Sequence, residues 1–284
     1  MRTYLDCLSC LVRQAVDAGR RATAESSLQE RITREALAAL AEADFALPPP
    51  LHARMIAGVV RHHTGVDDPY LQDKQRSNTL AMALLGQCRA LLSEASDPFA
   101  TAVRLAAAGN IIDFGVHGSV DPEQVEASLR HALAAPLDGE TLDRLRRRAA
   151  TARRILYLAD NAGELAFDRL LIEQLPRGAV TVAVKGGPVL NDALPADARA
   201  VGVDHVAAVI DHGARIPGTW LPDCSPAFRE LFAAADLVIA KGQGNFETLT
   251  DVSREVFCLL KVKCTMVSRH VARPIGTILL TVLP

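Results

Sequence analysis

The feature that most constrains this chain is a change of texture near residue 150. Beyond it, short apolar runs alternate with helical stretches. Ile155 to Ala159, Ala179 to Val184, Val206 to Ile210, Leu237 to Ala240, Val256 to Leu260 and Ile278 to Val282 read as buried strands. Short apolar runs bounded by turn residues suit strands covered on both faces. Glu164 to Leu175 and Pro226 to Ala235 supply helices between them. Such alternation predicts a mainly parallel sheet with helices on both sides.

The first 150 residues lack this pattern. Alanine, leucine, glutamate and arginine dominate, with apolar positions at helical spacing such as Leu80, Leu84 and Leu85. Pro48-Pro49-Pro50, Gly65 to Tyr70 and Ser96-Asp97-Pro98 are expected breaks between helices. Gly109 to Pro122 is glycine-rich without a helical period, and a basic helix from Leu142 to Arg154 leads into the second half. The expected organisation is a helical domain over 1–150 and a sheet-containing domain over 151–284. The 109–119 loop, with Asn110 and Asp113, is a candidate contributor to a site between them.

In parallel sheets ligands sit beyond the carboxyl ends of the strands, so the polar residues there carry the functional signal. The first strand runs into Asp160-Asn161-Ala162-Gly163-Glu164, which offers two hard oxygen ligands and a sharp turn into a helix. The second runs into Lys185-Gly186-Gly187, with Asn191-Asp192 bringing another carboxylate to the same edge. A later strand ends in Lys241-Gly242-Gln243-Gly244-Asn245, where a lysine, two glycines and an amide before a helix make an anion cradle. It matches neither the dinucleotide fingerprint, because Glu247 replaces its third glycine, nor a P-loop. The next run closes on Lys261-Val262-Lys263, of which at most one lysine is expected to reach a given site. Each segment alone also reads as an ordinary turn or helix cap. Four at one edge argue for a shared site. Asp160, Asn161 and Asp192 would hold a hard divalent cation, and Lys241, Lys261 and the 242–245 backbone a phosphate.

Charge narrows the partners. With 31 basic and 33 acidic side chains the formal charge is −2, which argues against a general nucleic-acid or membrane-surface binder. No apolar run reaches the ~18–20 residues of a spanning helix. The residues after Met1 lack a signal-peptide layout, so a cytoplasmic protein is expected. The cysteines agree with a reducing compartment: four are scattered, and only Cys7 and Cys10 are close. That pair is half of a usual zinc site, so a structural or minor redox role is favoured over metal binding. Only five basic residues are lysines, at 74, 185, 241, 261 and 263, and all but Lys74 lie within these segments. A compact ammonium entering a tight phosphate pocket is the expected reason arginine does not replace them.

With those residues in hand, the sequence resembles the metal-dependent damage-control phosphatases, the ARMT-like family, and its short prokaryotic branch. The motifs run along nearly the whole chain. They are Cys7-Leu8-Ser9-Cys10 with Arg13-Gln14-Ala15, Asp68-Pro69-Tyr70 with Lys74 and Asn78, and Gly109-Asn110-Ile111-Ile112-Asp113. Asp160 to Glu164, Lys185-Gly186 with Asn191-Asp192, and Asp236 to Asn245 follow in order. The resemblance implies an N-terminal helical region followed by a Rossmann-like α/β/α domain. It implies Asp160, Asn161 and Asp192 as metal ligands, Lys241 to Asn245 facing phosphate and Lys261 as the closing lysine. It further implies hydrolysis of sugar phosphates or damaged phosphometabolites with Mn²⁺, Co²⁺, Ni²⁺ or Mg²⁺.

A metal-activated water is the favoured nucleophile. An aspartyl-phosphate on Asp160 is the alternative, but the second Asp that such phosphatases carry two positions later is Ala162 here. Two other classes stay open: a phosphometabolite-binding module without turnover, and a carboxyl methyltransferase. Oligomeric state is left open.

Overall fold

The computed structural model describes residues 1–109 and 122–284. Asn110 and Asp113 lie outside the described residues. The helices α1 (Leu5–Ala22), α2 (Ser26–Ala41), α3 (Pro49–Thr64), α4 (Leu71–Ser93), α5 (Pro98–Ala108), α6 (Pro122–Ala134) and α7 (Gly139–Thr151) come first. Strands then alternate with helices: β1 (Ile155–Leu158), α8 (Glu164–Ile172), β2 (Val180–Val184), α9 (Pro195–Ala200), β3 (Ala208–Asp211) and α10 (Pro226–Ala234). The chain continues through β4 (Leu237–Lys241), α11 (Gly242–Leu249), β5 (Val256–Lys261), α12 (Thr265–Val271) and β6 (Ile278–Leu283).

All six expected strands are present, and the helix boundaries moved for local reasons. The break expected at Pro48-Pro49-Pro50 lies between α2 and α3, with Pro49 and Pro50 opening α3 because the first helical turn needs no backbone N–H donors. Helix α8 stops at Ile172, short of Leu175. The N–H groups of Gln174 and Leu175 donate three residues back, to Leu171 and Ile172, ahead of Pro176. Helix α7 begins earlier than expected, at Gly139, because the Asp138 side chain caps it by accepting from the Thr141 N–H at 2.8 Å.

The sheet order is β3-β2-β1-β4-β5-β6. Strands β1 to β5 run parallel and β6 pairs antiparallel with β5. From β1 the chain winds outward to β3 and then crosses to β4 on the other side. A crevice therefore opens at the carboxyl ends of β1 and β4.

Both faces of β1 are buried, Ile155 and Tyr157 on one and Leu156 and Leu158 on the other, so its sequence reads as a continuous apolar run. The first face shares one core with Leu85 of α4, Leu105 of α5, Leu145 of α7 and Phe167 of α8. The second packs with Phe228, Phe246 and Leu260. Helices α1 to α3 form smaller clusters of their own around Leu11, Ile56 and Ile32. Among the described residues no helix is long and apolar enough to cross a membrane.

The largest core thus joins α4, α5 and α7 to the sheet. Phe167→Ala should cost about 3–5 kcal/mol, as for other buried aromatic truncations. Because that core is shared, Trp220 fluorescence and far-UV circular dichroism should keep coincident urea midpoints in the variant. Separated midpoints would show that the helical region unfolds independently.

Candidate active site

The loops after β1 and β2 are clamped by backbone pairing. Asn161 and Asp192 form an isolated antiparallel bridge. The Ala162 N–H donates to the Asn191 carbonyl at 3.0 Å, and the Ala193 N–H to the Asp160 carbonyl at 2.8 Å. Main-chain bonds therefore set Asp160, Asn161 and Asp192 side by side. The Asn161 Nδ2 donates to Asp160 Oδ2 at 2.8 Å and Glu164 Oε2 at 3.2 Å. Its amide oxygen, the atom a hard cation would use, is outside those bonds.

Helix α4 braces this turn. Gly163 has φ 74° and lies so close to Ser77 that a Cβ could not fit. Its N–H donates to Asn78 Oδ1 at 2.7 Å, while Asn78 Nδ2 donates to Asp197 Oδ1 at 2.8 Å. Asn78 is a buried strut between the Asp160 loop and α9. On the other side Gly242, at φ 78°, opens α11, and the Asp160 carboxylate fills the space its Cβ would take. Asp160 thus sits against a helix N-terminus, where unpaired N–H groups favour negative charge.

Between this edge and helices α1 and α3 lies a cleft of about 500 Å³. Of the expected residues, Asp160, Asn161, Asn191, Asp192, Gln243 and Gly244 line it. Sequence reasoning missed Glu247 and Lys263, and also the wall that α1 contributes through Asp6, Cys10 and Gln14. Leu190, held at φ 44°, turns the chain into Asn191. Among the described residues the lining charges are the acids Asp6, Asp160, Asp192 and Glu247 against the single ammonium of Lys263.

Burial shapes the ionisation of these acids. It pushes Asp192 up to about 7; the Lys185 ammonium opposes this and Asp160 adds to it. Asp160 is raised by burial and then by Glu164, with Lys263, Lys185 and Lys241 pulling the other way. Glu247 is raised by burial to about 7, against a hydrogen bond from Gln243 and attraction by the Met1 ammonium.

Several expected phosphate ligands instead lie beneath the cleft. The Lys241 ammonium, fully buried, donates to the Ala106 carbonyl at 2.9 Å, Glu164 Oε1 at 2.6 Å and Asp168 Oδ1 at 2.5 Å. Its three protons are spent. Burial works against its charge, but Asp168 and Glu164 outweigh that and raise its pKa. The Tyr157 hydroxyl completes the cluster by donating to Asp168 Oδ1 at 2.8 Å. Asn245 is equally occupied. Its Nδ2 donates to the Lys241 carbonyl at 2.8 Å and the Ala159 carbonyl at 3.1 Å, and its Oδ1 accepts from the Thr219 hydroxyl at 2.7 Å. Lys185 is buried and donates to the Ala159 carbonyl at 2.9 Å.

The lysine pattern therefore has a different cause. Lys74, Lys185 and Lys241 are buried against carboxylates: Lys74 lies 2.5 Å from Asp68, and Lys185 lies 3.5 Å from Asp192. At Lys241 the three donors of an ammonium match three acceptors, whereas the five donors of a guanidinium could not all find partners. Of the last two lysines, Lys263 lines the cleft and Lys261 is not among its lining residues. Residues two apart on a continuing strand share one face, so strand alternation is no ground for expecting only one of them at the site. They diverge because β5 ends at Lys261 and the Val262 N–H turns to the Thr277 carbonyl at 2.9 Å.

The donor set fits a hard cation. Asp192 Oδ2 is buried and accepts no hydrogen bond among the described residues, although the Lys185 ammonium lies near it. A buried carboxylate oxygen without a hydrogen bond is costly unless something fills the gap. Among the described residues no three His, Cys, Asp or Glu side chains are grouped to hold a metal. A cation here would therefore draw on two carboxylates, the Asn161 amide and water, a set suited to Mg²⁺ or Mn²⁺. All six cysteines are free, and Cys7, Cys10 and Cys264 line the mouth of the cleft.

Comparison with known proteins gives a consistent picture. Residues 3–279 match the model of the damage-control phosphatase ARMT1-like domain. The damage-control phosphatase of Pyrococcus horikoshii is 34% identical over 285 residues, covering 98% of this chain and 97% of that protein. A damage-control phosphatase of Archaeoglobus fulgidus is 32% identical, with 95% of each chain covered. The crystal structure of a DUF89 family protein from Pyrococcus horikoshii superimposes with a TM-score of 0.91 over 100% of both chains, at 32% identity.

Removing the buried ammonium tests the support beneath the site. Lys241→Met leaves Glu164 and Asp168 unneutralised and should lose about 3–5 kcal/mol of stability. Lys241→Arg should also lower the urea midpoint, because the pocket offers three acceptors to five donors. An unchanged midpoint in both would show that the cluster contributes little.

Proposed function

The chain belongs to the damage-control phosphatase ARMT1-like family, and from that membership we propose that it hydrolyses small phosphate monoesters with a divalent cation held by Asp160, Asn161 and Asp192. The substrates on this reading are sugar phosphates or damaged phosphometabolites. A cleft of about 500 Å³ suits a small ligand of that kind. The observation that carries the reading is the pair Asp160 and Asp192, locked together by main-chain bonds, with one buried carboxylate oxygen left without a hydrogen bond.

Charge supports the same conclusion. A phosphate dianion entering among Asp6, Asp160 and Asp192 would meet repulsion that Lys263 alone does not offset. When bound, the cation would neutralise phosphoryl oxygens and lower the pKa of a water. The protein's own groups then orient the ester. Lys263 offers its ammonium to a phosphoryl oxygen from the rim. Gln243 and Gly244 present the first turn of α11, and Asn191 lies beside Asp192. The Asp6 and Gln14 side chains of α1 face the part of the cleft left for the alcohol, with the buried Gln14 Oε1 available as an acceptor. Lys185 and Lys241 hold the carboxylates in place and do not meet the substrate.

Phosphate release should vanish with chelator and return with Mn²⁺, Co²⁺, Ni²⁺ or Mg²⁺ when assayed on a sugar-phosphate panel and p-nitrophenyl phosphate. Asp192→Ala should reduce turnover by at least about 100-fold while the protein stays folded. Full activity in that variant, or no metal-restored turnover on any substrate, would sink the proposal. Asn78→Ala, which touches no substrate, should raise the half-saturating metal concentration by roughly 10–100-fold by freeing the Gly163 turn.

A further inference from the structure

Glu247 has no part in that scheme, yet its carboxyl lines the same cleft from a separate element. It lies one turn beyond Gln243 on α11, so both side chains share the face turned to the cleft. Gln243 fixes it: Nε2 donates to Glu247 Oε1 at 2.7 Å, while Gln243 Oε1 accepts from the Lys263 N–H at 3.1 Å. That second bond sets which end of the amide faces Glu247. The carboxyl is thus oriented, and among the described residues it makes no salt bridge.

From this placement we infer that Glu247 is the general acid that protonates the leaving-group oxygen of the phosphate ester. The inference rests on the phosphatase reading and adds a catalytic residue to it. A sugar or alkyl phosphate leaves as an alkoxide unless a proton arrives as the bond breaks. As the oxygen of water bonds to phosphorus, the phosphorus–ester oxygen bond breaks and its electron pair stays on the ester oxygen. That oxygen takes the Glu247 proton and departs as an alcohol. The proton lost by the attacking water passes through solvent and restores the acid.

The surroundings keep a proton available. Burial raises the carboxyl to about 7, and Asp160 repels its charge from the β1 loop. The Met1 ammonium opposes this, but it is itself engaged by the Glu247 carbonyl at 2.8 Å and the Thr250 hydroxyl. Among the described residues Cys7 of α1 also interacts with it, and its thiol is itself pushed up, chiefly by burial; Lys263, Cys10 and Cys264 line the same cleft. The acid form is therefore lost as pH rises through about 7, which predicts a falling basic limb in the rate on alkyl phosphates.

The test is leaving-group dependence. Glu247→Gln should lose about 10²–10⁴-fold in kcat on glycerol phosphate and on sugar phosphates. On p-nitrophenyl phosphate, whose phenolate needs no proton, it should stay within a few-fold of wild type. Across substituted phenyl and alkyl phosphates, wild-type kcat/KM should depend weakly on leaving-group pKa, and the variant steeply. Glu247→Asp should keep the basic limb that Glu247→Gln loses. Equal losses on both substrate types would overturn the assignment. So would a raised half-saturating Mn²⁺ concentration without a change in slope, which would make Glu247 a metal ligand. A steep wild-type slope overturns it without any variant. Wild-type turnover of p-nitrophenyl phosphate tests the phosphatase reading separately; if wild type releases phosphate from no substrate, both fall.

Discussion

One buried ammonium holds the site together. Lys241, at the end of β4, gives its three protons to the Ala106 carbonyl of α5 and to Glu164 and Asp168 of α8. It thereby ties the helical half, the turn after β1 and the central sheet to one point. Burial pushes Asp168 up to about 7, with Lys241 pulling it down and Glu164 pushing further. Two carboxylates so close together are tolerable because a cation lies between them. The Glu164 Oε2 then accepts from Asn161, which also bonds Asp160. The cation beneath the cleft and the acid in it are linked through two side chains.

That chain of contacts explains what the sequence conveyed and what it hid. Strand runs were legible because β1, β2, β4 and β5 are buried on both faces and carry almost no polar residues. The cluster of polar loops was legible because parallel strands deliver their carboxyl ends to one edge. That rule places Asp160 and Asn161 at the cleft, and the bridge to Asn161 brings Asp192 beside them. The role of Lys241 did not follow from it, because the last residue of a strand can face the opening or the packed layer. Here Lys241 turns toward α5 and α8, and Asn245, one helical turn on, accompanies it downward.

Partners contributed from afar could not be read in advance. Asp168 looks like one more residue on an amphipathic helix, and Tyr157 like a strand apolar; neither spacing marks them as a pair with Lys241. Asn78 carried a signal only through the family motif, because its partners, Gly163 and Asp197, are distant in sequence. Lys263 and Lys261 were confused for a geometric reason: the chain turns between them. Glu247 was visible only as the residue that spoils a glycine fingerprint. Its position becomes informative once α11 is seen to begin at Gly242 with its first turns facing the cleft.

The acids of the cleft also divide by how they are held. Asp160 and Asp192 are held side by side by main-chain bonds between two loops, which fixes the backbone from which both carboxylates project. Rigid, closely spaced oxygens suit a cation, which demands a set geometry and rewards it with charge. Glu247 projects from a helix and, among the described residues, its carboxyl is held by one side-chain bond from Gln243. A proton donor needs reach toward one oxygen rather than a fixed array, and it must lose and regain its proton in each turnover. On the proposed reading the two kinds of support match two kinds of chemistry: charge neutralisation at the strand ends and proton delivery from the helix. On that reading both are needed for a dianionic ester to enter an acidic cleft and leave it as an alcohol and inorganic phosphate.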